Sequence, residues 1–101
     1  MIVRLTSFNV VQDKIEELKK IYDNEVVPTV KQQKGNLDCR LLEPNNKSDE
    51  FISITEWDNM EDAKAYTTKG VYKSMIDKVK MYFIKDPVVK EYTTKGSMAF
   101  A

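Results

Sequence analysis

The chain has 101 residues, which makes one domain able to bury a core without disulfide or metal staples. Its composition, 42% hydrophobic and 32% charged, is that of a soluble globular protein, and 16 basic against 16 acidic side chains leave no net charge to draw nucleic acid or an anionic membrane. Histidine is absent and cysteine occurs once, at Cys39, which excludes histidine acid–base catalysis, Ser-His and Cys-His triads, His-ligated metal or haem, an intrachain disulfide and a CxxC metal site.

Arg4, Thr6, Ser7 and Asn9 interrupt the apolar start, so the first residues do not read as a secretory signal. No run approaches the ~18 apolar residues of a membrane helix. A cytoplasmic location is expected.

Residues 2–10 read as a strand, with Val3, Leu5 and Ser7 on one face and Arg4, Thr6 and Phe8 on the other. Asp13 followed by Glu16 signals a helix start. Ile15, Leu18, Tyr22, Val26 and Val30 then recur at helical spacing. Pro28 is expected to kink that helix, and Gly35 to cap its end. Residues 36–43 and 51–57 read as strands of a hairpin around the turn-rich stretch Glu43 to Asp49. Asp58 with Glu61 repeats the helix-start signal before Met60, Ala63 and Tyr66. Lys69-Gly70 breaks the helix, and a second piece carries Tyr72, Met75, Ile76, Val79 and Phe83 on one face. Pro87 opens a last strand, Val88 to Thr93, and residues 96–101 are expected to fray, leaving 1–95 as the domain. Tyr-Thr-Thr-Lys-Gly occurs at 66–70 and at 92–96, in contexts too different to mark a structural repeat.

The order β-α-β-β-α-β predicts a ferredoxin-like α+β fold, a four-stranded antiparallel sheet with both helices on one face. Phe51, Ile52, Ile54 and Trp57 put apolar side chains on both faces of one strand. Soluble monomers seldom expose such a patch, so a homodimer packed sheet against sheet is expected.

This arrangement resembles the antibiotic biosynthesis monooxygenase family of dimeric α+β barrels over about residues 2–93. The likeness rests on the stretch from Val26 through Pro28 to Gly35, on Ile54-Thr55-Glu56-Trp57-Asp58-Asn59, on Ala65-Tyr66-Thr67-Thr68-Lys69-Gly70-Val71-Tyr72, and on Pro87-Val88-Val89-Lys90-Glu91-Tyr92. It implies oxidation of a phenolic or quinol-like aromatic by molecular oxygen with neither metal nor flavin. Some relatives degrade haem and others isomerise small molecules. Many members carry a histidine nine residues after the strand-ending Trp, where this chain has Tyr66, and haem-degrading relatives use one near the position of Met75 or Ile76. Haem degradation is therefore disfavoured.

With glycine only at 35, 70 and 96, neither a dinucleotide fingerprint nor a phosphate loop can be written. Tyr66 and Tyr72 flank the helix break and are the candidate catalytic residues, orienting a phenolic substrate by hydrogen bonds or serving as core packing with a hydroxyl at the rim. A tyrosine with its ordinary pKa near ~10 is a poor base at neutral pH. Arg4 and Thr6 would hold an anionic substrate if their face meets the helices, whereas facing the dimer partner would make Arg4 an interface ion pair. Trp57 walls a pocket or anchors strand to helix, and Met75 joins these as a lining residue. Cys39 reads as a small buried strand residue. Two readings follow: a cofactor-free monooxygenase, and a non-catalytic dimeric barrel that binds a small apolar ligand or acts as a scaffold.

Overall fold

Alternating β-branched and aromatic segments form the strands where they were expected, and the computed structural model describes residues 1–95. The strands are β1 (Ile2–Phe8), β2 (Asn36–Leu42), β3 (Phe51–Trp57) and β4 (Val88–Thr93). They pair antiparallel in the order β2-β3-β1-β4. The helices α1 (Ile15–Ile21), α2 (Val27–Lys31), α3 (Met60–Thr68) and α4 (Val71–Val79) complete the ferredoxin-like α+β fold. The expected fraying tail lies outside the described residues. Among the described residues no helix is long and apolar enough to cross a membrane.

The strand alternation left two faces without saying which was covered, and burial decides it. Ile2, Thr6 and Phe8 of β1 and Phe51, Thr55 and Trp57 of β3 are buried beneath the helices, and Arg4 shares their face. Val3, Leu5, Ile52 and Ile54 therefore point to the uncovered side. β4 is exposed along its whole length, with Val88 and Tyr92 about half accessible on that same side.

Several local expectations are corrected. β1 ends at Phe8, because its partner β3 begins opposite at Phe51; Val10 instead makes an isolated bridge to Phe83. β2 likewise ends at Leu42, one residue short of expectation. Asp13 caps nothing: the chain enters the first helix through a 3-10 turn, Gln12–Lys14, in which the Lys14 amide donates to the Val11 carbonyl. Helical turns continue through Pro28. A π-helical turn spans Tyr22–Val26, in which the Val27 amide donates to the Tyr22 carbonyl, and Pro28 falls in the first turn of α2, where its missing amide is not needed.

Gly35 lies beyond the helix end at Lys31, in the turn entering β2, with φ +79°. Its carbonyl accepts from the Asp58 amide at 2.8 Å. Asn59, not Asp58, caps α3: its side chain accepts the Asp62 amide at 2.8 Å and donates to the Asp62 carboxylate at 3.0 Å. Phe83 leaves the helical face, because a 3-10 turn (Lys80–Tyr82) ends the helix and Phe83 is extended; it stacks on Phe8 with ring centres 4.5 Å apart.

Candidate active site between sheet and helices

The register of the covered face lays polar side chains side by side. Arg4 lies opposite Thr55 and Glu91, Thr6 opposite Ser53, and Thr55 opposite Cys39. This band crosses a face that is otherwise apolar, with Phe8 against Phe51 on one side and Ile2 against Trp57 on the other. The helices roof it with Tyr22, Tyr66, Tyr72 and Met75, enclosing a cavity of about 40 Å3. That is room for about three or four waters at ~10–15 Å3 each.

Among the described residues, Arg4 is the only charged one on the cavity wall. Its side chain is 12% exposed; Nε donates to Glu91 Oε2 at 2.8 Å and a terminal nitrogen donates to Thr67 Oγ1 at 2.6 Å. The guanidinium thus ties β1 to β4 and to the last turn of α3. Arg4 is largely shielded but Glu91 is a third exposed, so the planar guanidinium fork does more to fix geometry here than to add stability.

Tyr66 lies in the last turn of α3 and Tyr72 in the first turn of α4, across Gly70, whose φ of +83° makes the break possible. Their rings meet edge-on at 5.9 Å. Burial pushes the Tyr66 phenol well above its ordinary value, against the pull of Arg4. Burial also raises Tyr72, offset in part by the Thr6 hydroxyl and by Arg4. Both phenols are therefore neutral donors at physiological pH, which rules them out as resting bases.

The structure brings Arg4, Thr6, Tyr66, Tyr72 and Met75 to one cavity and leaves Trp57 off its wall. Trp57 is fully buried beneath Tyr66, with ring centres 4.8 Å apart, and its Nε1 donates to Thr55 Oγ1 at 3.0 Å. It is the anchor of the two roles considered. Cys39 is buried, and burial raises its thiol pKa.

Sequence reasoning missed Tyr22, Ser53 and Thr55, all on the wall. Tyr22 was read as one more member of the apolar stripe. Ser53 and Thr55 carried a usable signal, being small polar residues in the same alternation as Phe51 and Trp57.

No curated protein matches the chain. Solved structures do match in fold. A putative antibiotic biosynthesis monooxygenase from Nitrosomonas europaea is similar with a TM-score of 0.77 at 19% identity, covering 93% of this chain and 98% of that one. SnoaB, a cofactor-independent oxygenase from Streptomyces nogalater (mutant N63A), has a TM-score of 0.77 at 12% identity, covering 93% of this chain and 92% of that one. The haem-degrader MhuD from Mycobacterium tuberculosis has a TM-score of 0.77 at 17% identity, covering 93% and 95%. The family model described as "Antibiotic biosynthesis monooxygenase" matches residues 1–78, from β1 through most of α4 and including every wall residue except Val79 and Phe83, and on that match the chain belongs to the antibiotic biosynthesis monooxygenase family.

Proposed function

We propose that the chain is a cofactor-independent monooxygenase for a small phenolic or quinol-like aromatic, working as a homodimer packed sheet against sheet. The observation that carries this is an apolar chamber whose single charge is the Arg4 guanidinium, ringed by neutral phenol donors.

In such a reaction the substrate loses a proton to become an electron-rich anion. The anion passes one electron to dioxygen, and the resulting radical and superoxide combine as a peroxide. For an anthrone-like substrate, loss of water then leaves one oxygen atom in the product carbonyl and the other in the water. Among the described residues no carboxylate or imidazole lines the cavity, so the wall stabilises the anion rather than making it. Arg4 lowers the pKa of a bound phenol, and Tyr66 and Tyr72 donate to the oxyanion as its charge develops.

The cavity is far smaller than the ~300 Å3 at the lower end of small-molecule sites. A ring enters only as Met75, Ile76 and Phe83 move aside, and the unbranched methionine is the most adaptable of the three. That size favours the second reading, a non-catalytic barrel. SnoaB's activity and the cofactor-free chemistry of relatives support the first. Haem degradation, the activity named for MhuD, is not proposed, because the chain has no histidine to serve as axial ligand.

The dimer is supported by the uncovered apolar face, with Leu42 at 42%, Val88 at 48% and Tyr92 at 51% accessible. Oxygen uptake by chelator-treated protein, measured with anthrone and a panel of quinols, tests the enzyme. Uptake above the spontaneous rate, reduced at least about tenfold in Arg4→Gln, is the expected result. No uptake with any member, together with unaltered binding of the same compounds in Arg4→Gln, leaves the scaffold reading.

A further inference from the structure

Arg4 does not meet the cavity as a bare charge. β4 runs along the edge of the sheet, paired with β1 alone and exposed at every residue, and it sets Glu91 directly opposite Arg4. The Glu91 carboxylate accepts from Arg4 Nε at 2.8 Å without itself reaching the cavity wall. A guanidinium has five N–H donors, and among the described residues Glu91 and Thr67 engage two of them. Held at both points, the planar group keeps its remaining donors for whatever enters the cavity.

The charges point to the same residue. An unaccompanied guanidinium on an apolar wall would draw a phenol strongly toward its anion. With a carboxylate in contact off the wall, the pair carries no net charge, and a bound oxygen feels only the difference between two opposed fields. The other titratable groups facing Arg4 are the phenols of Tyr66 from α3 and Tyr72 from α4, which stay protonated and add no charge. The carboxylate is therefore what balances the guanidinium. That balance matters for electron transfer, because an anion stabilised too firmly in its ground state gives up an electron less readily.

We propose that Glu91 is a positioning residue for Arg4: it fixes where the guanidinium stands and sets how strongly the cavity favours a phenolate over the phenol. The proposal rests on the cavity being the ligand site but not on turnover.

4-Nitrophenol, which is yellow only as its anion, reports its own ionisation when bound, and titrations across its pH range test the proposal. Glu91→Gln removes the charge while its carbonyl oxygen can still accept from Nε. The ionisation equilibrium of the bound probe should then shift about tenfold toward the phenolate relative to wild type, allowing for solvent around the partly exposed carboxylate. Glu91→Ala removes the charge and the hydrogen bond together, so Arg4 is free to leave the wall, and the shift should be at least about threefold smaller than in Glu91→Gln. Arg4→Gln should move the equilibrium the other way, toward the phenol.

No shift in Glu91→Gln overturns the proposal, as does an equal shift in Glu91→Ala, which would show that the hydrogen bond positions nothing. Equal weakening of phenol and phenolate binding also overturns it, since that marks a purely structural pair. Absence of binding to the wild type overturns this proposal and the ligand-site reading together. The expected shifts without oxygen uptake on the quinol panel overturn the monooxygenase alone.

Discussion

Replacing Gly35 with alanine should be much more damaging than the same change at Gly70, although both glycines have nearly the same backbone. With φ of +79° and +83°, each substitution puts an L side chain in the left-handed region, at about 1–2 kcal/mol. At Gly70 that is the whole cost, because a Cβ there has nothing within 4 Å. At Gly35 the new Cβ would stand 2.6 Å from Asp62 Cβ and 2.7 Å from its Cγ, separations that real side chains do not tolerate. Asp62 cannot retreat freely, since Asn59 holds both its amide and its carboxylate. Displacing it disturbs the cap of α3, worth about 1 kcal/mol. The expected totals are therefore about 2–3 kcal/mol for G35A and about 1–2 kcal/mol for G70A. At ~4–8 °C per kcal/mol for a domain of this size, the two melting temperatures should be clearly resolved. The cycle with Asp62→Gly, which removes the clashing Cβ as well as the carboxylate, isolates the contact: in that background G35A should cost no more than G70A. Equal melting temperatures for the two single variants, or a full G35A penalty in the Asp62→Gly background, would refute the steric reasoning.

Trp57→Ala removes a fully buried ring stacked under Tyr66 and should lower stability by about 3–5 kcal/mol in urea unfolding, a large share of the ~5–15 kcal/mol typical of a domain. Tyr22 and Tyr66 have folded pKa values raised above the ordinary 10.0, so their contribution to stability is complete below pH 10 and is lost as pH rises through the folded values. Tyr66→Phe should accordingly leave the phenolate absorbance of folded protein unchanged near pH 10; a missing chromophore at that pH would show the phenol to be solvated. Ile54→Glu places a charge at the centre of the uncovered sheet face, and sedimentation at micromolar concentration should show wild-type dimer and variant monomer. A monomeric wild type would remove the basis of the sheet-to-sheet dimer.

Much of the fold was legible because it is written in periodicity. The spacing of Ile15, Leu18, Tyr22, Val26 and Val30, the alternation in the strands, and the break at Lys69-Gly70 are local properties that survive into the structure. What failed also had local causes of another kind. Asn59 rather than Asp58 is the cap because α3 begins at Met60, which puts the capping position on Asn59, whose side-chain oxygen accepts the Asp62 amide. The helix runs on through Pro28 because the proline falls in the first turn of α2, directly after a π turn, and that same turn is the one that carries Tyr22.

The sequence by itself determined the order of elements, the exclusion of histidine chemistry, and the grouping of Arg4, Thr6 and Phe8 on one strand face. Only the tertiary structure decided that this face is the covered one, because alternation has a period but no sign; the sign comes from the side on which the helices pack. It also decided which polar residues meet. The Arg4–Glu91 pair and the Tyr22–Ser53 pair join positions 87 and 31 residues apart, and such pairs exist only once register brings separate strands and a helix together. Spacing along one chain cannot encode a contact made between elements, so the cavity and its two polar ends belong to the fold.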